Sequence, residues 1–386
     1  MFKKIPLHNP TIYKNEIKYI KNCLNSGWIA NGEYNDKFTN IVKKFIKAKY
    51  AIPCINGTSA LHISLKVLNI RENDEVIVPT TTFIAPINAI IYNMAKPVFM
   101  DVNNYFTIDI RKTLEYLENN TYYKKNFSFN KKTNRKIKAI IIVHTFGNAA
   151  DFEKLFNFCK NRNILIIEDA AESLGSKYTK GLFKNKYTGT VGNIGCLSFN
   201  ANKIITAAGG GMIITNSATL AKKSHYLINQ AKNDTVQYIH DEVGYNYRFN
   251  NIQSAIGYAQ MQNIDKILKK KKKIRDFYEK KLNVSSNFHL VSSSSHSDNN
   301  YWLNIIRFKD ANYSKVISIC KKLQKKGIET RPIWYLNHLQ KPYKMCENYK
   351  INNAKKLQNT CLCLPSGLSL SNVDLKKVTD GIFSLF

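Results

Sequence analysis

Short β-branched runs alternate with amphipathic segments between about residue 50 and residue 215, and this alternation most limits the possible folds. The runs are almost continuously apolar, as expected of strands that are buried on both faces of a sheet. Strands that alternate with helices predict an α/β architecture with a mostly parallel sheet. The predicted strands are 75–79, 96–101, 138–146, 163–169, 195–199 and 211–215, and the predicted helices are 58–68, 83–94 and 151–163.

The chain has 386 residues, which is long enough for two lobes of unequal size. We predict a large domain over residues 1–250, with an N-terminal arm over 1–30, and a smaller C-terminal α+β domain over 251–386. A long helix is expected to begin near Asn251, and segments 300–308 and 315–332 supply further elements. Segment 119–136 is polar, basic and aperiodic, so it is predicted as a surface insertion before a strand.

The net charge is formally +31, which suggests a nucleic-acid or acidic-membrane partner. However, lysine is spread along the chain, and neither zinc-finger spacing nor an RNA-recognition aromatic signature is present in the sequence. Compositional bias therefore explains the charge better, and a nucleic-acid-binding regulator stays as the alternative from another functional class. The dense basic run 267–281 predicts the exposed face of a long helix, with four apolar residues turned inward: Ile264, Leu268, Ile274 and Phe277.

Eight cysteines occur without a CxxC pair or the spacing of a metal site. We therefore expect reduced structural thiols and no bound metal. The N-terminus lacks the apolar segment of a signal peptide, and no apolar run approaches the roughly 20 residues that a membrane span needs. These features predict a soluble cytoplasmic protein with no membrane partner.

Small polar residues follow the strand that ends at Asn56. Gly57 permits a tight turn, and Thr58 and Ser59 begin a helix. The N–H groups and hydroxyls of such a helix start are suited to a phosphate monoester, although an ordinary helix cap would explain the same residues.

Two further features would lie at the same edge of the sheet, where open α/β sheets bind their ligands. Four apolar residues lead directly into Glu168 and Asp169, and a buried carboxylate needs a cationic partner unless it caps a turn. Lys203 lies in the mostly apolar segment 198–215, next to Asn202 and before three glycines. An amine among apolar groups has its charged form disfavoured, which suits imine chemistry, whereas solvent exposure is the commoner alternative.

A phosphate site, an acid and a buried lysine together fit pyridoxal phosphate. This cofactor carries a phosphate, an aldehyde that forms an imine with lysine, and a ring nitrogen that an aspartate keeps protonated. Segment 241–257 places aromatic residues and an arginine in a polar loop before the long helix, and on its own it fits either packing or ligand binding.

Five ordered segments resemble the DegT/DnrJ/StrS class of fold-type-I sugar aminotransferases. They are NGTSALHISL (56–65), VPTTTFIAPINAI (78–90), IEDAAESLG (167–175), GCLSFNANKIITAAGGG (195–211) and DEVGYNYRFNNIQSAIG (241–257). The agreement extends from about residue 5 to the C-terminus. The resemblance implies pyridoxal phosphate as cofactor and a fold-type-I large domain with a mixed, mostly parallel sheet flanked by helices.

A narrower resemblance concerns the substrate. The segments 5–12, 26–34, 143–148, 240–248 and 330–338 look most like the aminotransferases of legionaminic acid biosynthesis. Those enzymes aminate C4 of a nucleotide-linked 4-keto-6-deoxy-N-acetylhexosamine, usually with glutamate as amino donor. Another 4-keto sugar, such as a perosamine precursor without the N-acetyl group, stays as the alternative substrate.

The resemblance also implies roles for individual residues. Lys203 would be the Schiff-base lysine and proton carrier, Asp169 would hold the ring nitrogen, and Phe83 would stack on the ring. Glu172 would lie near the phenolic oxygen, where many relatives have Gln. The remaining cofactor contacts would come from Gly57, Thr58, Ser59, Ser198, Asn200 and, from a second subunit, Asn246. The weaker candidates for the sugar nucleotide are Trp28, Gly32, Arg248, Arg331 and His338.

The role of Asn246 implies a homodimer with shared active sites. One departure from the class is the sequence TAAGGG after the lysine, with Ala207 and Ala208 where relatives commonly have other small residues. Because the replacements are also small, we expect altered packing and retained catalysis.

Overall fold

The computed structural model describes residues 4–234 and 236–386, so the first three residues of the predicted N-terminal arm lie outside it. The helices are α1 (Lys14–Ser26), α2 (Glu33–Ile46), α3 (Gly57–Val67), α4 (Ala85–Tyr92), α5 (Ile110–Asn119), α6 (Glu153–Asn161), α7 (Ala218–Ile228), α8 (Asn251–Met261), α9 (Ile264–Leu282), α10 (Tyr313–Lys325), α11 (Asn353–Thr360) and α12 (Asn372–Phe383). The strands are β1 (Tyr50–Cys54), β2 (Glu75–Pro79), β3 (Lys96–Met100), β4 (Thr121–Lys124), β5 (Phe127–Asn130), β6 (Lys136–Val143), β7 (Leu165–Asp169), β8 (Lys177–Tyr178), β9 (Ile194–Ser198), β10 (Gly211–Thr215), β11 (Phe288–Leu290), β12 (Ser297–Asp298), β13 (Asn304–Phe308), β14 (Arg331–Pro332), β15 (Asn348–Tyr349) and β16 (Cys361–Leu364).

One large sheet is built in the order β1-β10-β9-β7-β6-β2-β3-β15. Strand β10 is antiparallel to both of its neighbours, whereas the pairs from β9 to β15 along this order are parallel. The predicted α/β fold with a mixed, mostly parallel sheet is therefore confirmed. Because β1, β9, β7, β6 and β2 run in one direction, their carboxyl ends lie at the same edge, where such sheets bind ligands.

The predicted strands 75–79 and 211–215 agree with β2 and β10 to the residue. The predicted strand 138–146 is too long, because β6 ends at Val143. The next residues form a 3₁₀ turn in which Phe146 has a φ of 57°, and this left-handed conformation cannot continue a strand. The turn places Phe146 beside the carboxyl end of the sheet, where it contributes to the site described below.

Segment 119–136 was predicted only as a surface insertion, and it contains the hairpin β4–β5. The hairpin extends the sheet, since Ser128 and Phe129 pair with the start of β6. Its two turn residues, Lys125 and Asn126, both have positive φ values, 49° and 63°, as a tight two-residue hairpin requires. The turn lacks the glycine that usually indicates such a hairpin in a sequence, which explains why the strands were not predicted.

The C-terminal part forms a second, antiparallel sheet in the order β11-β13-β16-β14. Apolar residues of α9, α10 and α12 form a core with this sheet. The N-terminal segment also belongs to this lobe, because Ile5 donates to Gly327 O at 2.8 Å and accepts from Glu329 N at 2.9 Å. Helix α8 packs on α1 and α2 of the first lobe, and β15 extends the first sheet. The division of the chain at residue 250 stays a prediction.

Helix α9 carries the basic run, and its four predicted apolar positions do turn toward the protein. Two of them are buried and two are half-buried: Ile264, Ile274, Leu268 and Phe277. The interpretation of the lysines as one exposed face is wrong for Lys271, whose side chain is buried. Its ammonium group donates to the carbonyl oxygens of Trp302, at 2.7 Å, and Ser366, at 2.6 Å. Burial lowers the pKa of Lys271 to about 7.

Lys271 should make stability depend on pH in a defined direction. In the unfolded chain this lysine keeps its proton up to about pH 10.4, whereas in the folded protein it loses the proton near neutrality. Between these values the unfolded state binds more protons, so the free energy of unfolding rises with pH, by about 1 kcal/mol per pH unit. Urea denaturation at several pH values between 7 and 10 should show this rise in the difference between the wild type and Lys271→Met, because the other titrating groups, including the buried thiols, are common to both proteins. The exposed neighbour variant Lys272→Met should keep it, and parallel curves for all three proteins would contradict the expectation.

Candidate active site

Two adjacent carboxylates end β7, and their side chains alternate across the sheet as strand geometry requires. Glu168 accepts hydrogen bonds from His144 Nε2 at 2.9 Å and from three backbone N–H groups, those of Gly189, Val191 and Gly192, at 2.6–2.9 Å. A buried carboxylate with four donors is fully satisfied, so Glu168 stabilises the structure.

Asp169 is also buried, but its environment differs from that of Glu168. Within residues 4–234 and 236–386 its carboxylate accepts one hydrogen bond, from Ala171 N to Oδ1 at 3.1 Å. Burial raises the pKa of Asp169, and this bond and the charges of Lys203 and His144 oppose the shift. A buried carboxylate with spare acceptor capacity is suited to a cationic or N–H partner supplied by a ligand.

Lys203 lies in the turn after β9, and its side chain is 13% exposed. Its amine is 3.6 Å from Glu172 Oε1 and 4.3 Å from the centre of the Trp302 ring. Lys203 is therefore held between protein groups, unlike the exposed lysines of α9. The structure does not show the solvent-exposed lysine that was the commoner alternative.

Glu172 connects Lys203 to the turn after β6. Its Oε2 accepts the backbone N–H of Phe146 at 2.7 Å, while Oε1 faces the Lys203 amine. Burial raises the pKa of Glu172 to about 7, against the opposing charge of Lys203. A carboxyl group that titrates near neutrality beside an amine can exchange a proton with it.

The start of α3 combines a helix cap with a close approach of strand β9. Asn56 Oδ1 accepts the Ser59 N–H at 2.8 Å, so this N–H is used by the cap. A Cβ added at Gly57 would lie 2.9 Å from the Ser198 Cβ, which means that only glycine admits Ser198 so near the helix start. Thr58 is half-buried beside them. The structure thus brings Gly57, Thr58 and Ser198 together at the carboxyl edge of the sheet.

Aromatic rings surround this edge. Phe83 follows β2, is 54% exposed, and lies 6.5 Å from Trp334 between ring centres. Phe146 stacks on Trp334 at 4.5 Å, and Trp302 lies nearly parallel to both. Two cavities meet at Trp334, one of about 460 Å³ beside Phe83 and one of about 370 Å³ beside Phe146, Trp302 and Arg331.

The sequence predictions did not include Phe146, Trp302 and Trp334 among the site residues. Phe146 and Trp334 occur within segments that carry the narrower resemblance, so a signal for them was present. Trp302 lies in an apolar run before β13, and nothing in the sequence there distinguishes it from an ordinary core residue.

The other predicted residues lie outside the group around Lys203. Asn200 is exposed, and its carbonyl accepts the Lys203 N–H at 2.9 Å. Asn246 and Arg248 are exposed on the loop before α8, and Arg248 lines a separate cavity of about 270 Å³. Trp28, 65% exposed, and Gly32 line another cavity, of about 550 Å³.

Two further predicted residues already have protein partners. Arg331 lies at the rim of the 370 Å³ cavity and donates to Glu329 Oε1 at 2.6 Å. His338 is buried, with Nδ1 2.7 Å from the Thr80 hydroxyl, and burial lowers its pKa to about 4. A neutral histidine with this partner serves packing at the end of β2, and its role toward a substrate stays a prediction.

The two alanines of the sequence TAAGGG, in which the loop after the lysine departs from the class, have different environments. Ala207 is fully buried, and its N–H donates to Phe199 O at 2.8 Å. Ala208 has a φ of 61°, a left-handed conformation that costs a residue with a side chain about 1 kcal/mol. The strain falls on Ala208, five residues after the lysine, while Lys203 keeps its contacts.

Three general properties complete the description. Over the described ranges 4–234 and 236–386, no set of three His, Cys, Asp or Glu side chains is grouped so that it could hold a metal ion. The helices in the same ranges include none with the length and apolar character needed to cross a membrane. All eight cysteines are free thiols.

The fold and the site together define a transaminase of the pyridoxal phosphate type. Lys203 supplies a shielded amine, Asp169 a buried carboxylate with spare acceptor capacity, and the close Gly57–Ser198 contact a helix start that can receive a phosphate. The chain belongs to the DegT/DnrJ/EryC1/StrS aminotransferase family, whose model matches residues 10–383. The predicted class, a pyridoxal-phosphate-dependent sugar aminotransferase, is confirmed.

Individual similar proteins give a more specific comparison than the family as a whole. The chain is 37% identical to a GDP-perosamine synthase of Escherichia coli O157:H7, over 98% of each chain, and 32% identical to one of Vibrio cholerae, over 99% of each. Among solved structures, Helicobacter pylori PseC, an aminotransferase involved in the biosynthesis of pseudoaminic acid, is similar in fold. It has a TM-score of 0.89 and 23% identity, and the match covers 100% of this chain and 99% of that one. The family-level resemblance is therefore confirmed, whereas the narrower resemblance to legionaminic acid enzymes is not.

Proposed function

We propose that this protein transfers an amino group to C4 of a nucleotide-linked 4-keto-6-deoxyhexose of the perosamine type. The observation that carries the transfer chemistry is the Lys203 amine, 3.6 Å from Glu172 and shielded by Trp302 at the carboxyl edge of the sheet. The choice of sugar is supported by the 37% identity to a GDP-perosamine synthase over almost the whole of both chains. This perosamine-type sugar replaces the N-acetylhexosamine of the legionaminic acid pathway as the first candidate substrate.

The residues at the edge of the sheet fit the cofactor in a consistent order. Gly57, Thr58 and Ser198 would receive the phosphate at the start of α3, where the helix dipole favours an anion. Asp169 could accept a further hydrogen bond, and it would receive this bond from the protonated ring nitrogen. The exposed ring of Phe83 is available for stacking from the side of β2.

Bound pyridoxal phosphate supplies an aldehyde for imine formation with an amine and a ring that accepts the electrons released at the reacting carbon. Lys203 would hold the cofactor through its amine, and the free amine would carry a proton at the reacting carbon. Glu172 lies close enough to share that proton, because burial raises its pKa to about 7. Asp169 would stabilise a protonated ring nitrogen, which would favour the negative charge that develops during the reaction.

Three further parts of the proposal concern partners and location. Glutamate is the proposed amino donor. A homodimer with shared sites is supported by the exposed Asn246 and by three exposed apolar residues on the same loop, Val236, Tyr238 and Val243. The eight free thiols support a reducing compartment such as the cytoplasm.

The substrate is tested with purified enzyme, glutamate and a panel of GDP- and UDP-linked 4-keto-6-deoxy sugars, with and without an N-acetyl group. Mass spectrometry should detect replacement of the keto oxygen by an amine, and NMR should place the amine at C4. We expect the highest kcat/KM for the GDP-linked sugar without the N-acetyl group. Turnover confined to an N-acetylated UDP sugar would contradict the perosamine assignment and restore the legionaminic acid one.

A further inference from the structure

Trp302 is a buried aromatic residue that contacts the Lys203 amine and has no assigned role. It is 4% exposed and precedes β13, and its ring centre is 4.3 Å from Lys203 Nζ. The face of an indole ring is the most favourable aromatic partner for a cation. The ring face of Trp302 is therefore placed to stabilise a cation at this amine.

One hydrogen bond fixes the orientation of the Trp302 ring, and two others fix its backbone. The indole Nε1–H donates to Asn202 O at 2.6 Å, directly beside Lys203 in the chain. The Trp302 backbone N–H donates to Asn300 Oδ1 at 2.9 Å, and its carbonyl accepts from Lys271 Nζ at 2.7 Å. The ring cannot turn away from the amine without breaking the Nε1–H bond, and the two backbone bonds fix the position from which the side chain extends.

The same loop also positions Glu172, the second group that contacts Lys203. Asn300 Nδ2 donates to the backbone carbonyls of Glu172, at 2.9 Å, and Leu174, at 3.0 Å. Asn300 thus links the backbone of Trp302 to the backbone of Glu172, so the two residues that contact the Lys203 amine extend from segments that are tied together.

We infer that Trp302 is a positioning residue that holds the free amine of Lys203 as an ammonium group after the amine has left the cofactor. The inference rests on the proposed function, because it takes Lys203 as the lysine that binds the cofactor. When the amino donor takes its place, Lys203 must stay near the reacting carbon and must be able to carry a proton. The ring face of Trp302 stabilises the ammonium form, and Glu172 can take up the proton when it is given away.

Other titratable groups face the same amine and must be separated from the effect of the ring. Glu172 is the nearest, and Asp169 acts on Lys203 from the end of β7. His8 of the N-terminal segment has a pKa well below its usual value because of burial, with the charges of Lys271 and Lys203 adding to the shift. Lys271 lies behind Trp302 on its carbonyl. Substitutions of Trp302 change none of these ionisable side chains.

The test measures the protonation of Lys203 in cofactor-free protein. Acetylation at a series of pH values, with quantification of the Lys203 peptide by mass spectrometry, gives the midpoint pH at which the amine becomes reactive. In Trp302→Leu this midpoint should fall by about one pH unit, since the ammonium form loses its π partner. Trp302→Phe should recover part of the shift, and the same comparison in a Glu172→Gln background should show a shift of similar size.

A second variant covers the case in which Trp302→Leu fails to fold. A ring-fluorinated tryptophan placed at position 302 keeps the shape and the Nε1–H donor while it weakens the negative potential of the ring face. Its labelling midpoint should also fall. In turnover assays both variants should lower kcat about tenfold with little change in the KM for the sugar.

An unchanged midpoint in a folded variant with a weakened or missing ring face would overturn the inference. A raised sugar KM together with an unchanged midpoint would make Trp302 a wall of the substrate cavity instead. Failure of the proposed function is recognised separately, because borohydride reduction of the wild-type enzyme would then leave the Lys203 peptide without cofactor. The labelling experiment itself needs neither cofactor nor sugar.

Discussion

Lys203→Ala is expected to lower kcat/KM for amino transfer by at least about 10⁴-fold. The substitution removes both functions proposed for the amine, its bond to the cofactor and its transport of a proton. Nearby groups cannot replace it, because the side chains that contact Lys203, those of Glu172 and Trp302, contain no amine. The backbone around position 203 should persist, since the turn is held by the bond from the residue's own N–H to Asn200 O.

The measurement combines turnover with direct detection of the cofactor bond. Borohydride reduction should fix the mass of the cofactor on the Lys203 peptide of the wild type, and the variant should lack both this adduct and the absorbance of the lysine-bound cofactor. Lys203→Arg is the matched control, because it keeps a positive charge over Trp302 and still cannot form the imine. An added small primary amine should restore part of the activity of Lys203→Ala and none in Lys203→Arg, which fills the space. If Lys203→Ala still turned over an amino donor at a rate near that of the wild type, a different lysine would have to be the residue that binds the cofactor.

Local patterns in the sequence were sufficient for the framework of the large sheet. The runs 75–79 and 211–215 have apolar centres and are bounded by charged or small residues, so β2 and β10 follow from them directly. Asp169 and Lys203 could be selected because each follows such a run, and ligands bind where parallel strands end. Segment 121–130 lacks both an apolar pattern and a turn glycine, and its hairpin depends on pairing with β6, which no local pattern encodes.

The parts of the site that could not be predicted all depend on contacts between distant segments. Trp302 meets Lys203 because β13 of the second lobe is preceded by a loop that Asn300 ties to the Glu172 turn. Lys271 looks like its lysine neighbours in sequence, and only the two carbonyl groups that it meets on burial distinguish it. The resemblance implies a role for Asp169 only, and the structure shows how the two carboxylates differ: four donors saturate Glu168, and a single donor leaves Asp169 open.

The spare acceptor capacity of Asp169 leads to the second prediction of a large effect on the reaction rate, for the substitution Asp169→Asn. An amide is similar in shape to the carboxylate but cannot stabilise a protonated ring nitrogen, so the developing negative charge loses its electron sink. We expect both half-reactions, with glutamate and with the keto sugar, to slow by about 10²–10³-fold. Cofactor binding should persist, because the substitution leaves the proposed phosphate site at α3 and the amine of Lys203 unchanged.

Stopped-flow absorbance of each half-reaction measures the loss, and borohydride labelling confirms that Asp169→Asn still binds the cofactor at Lys203. Glu168→Gln is the matched control, since it removes the neighbouring carboxylate on the opposite face of β7. This control should lower the free energy of unfolding by about 2–4 kcal/mol, because an amide NH₂ would face backbone donors, while the folded fraction should keep its half-reaction rates. If Asp169→Asn retained near-wild-type rates, or if Glu168→Gln were the slow variant, the electronic role would have to move from Asp169 to its neighbour.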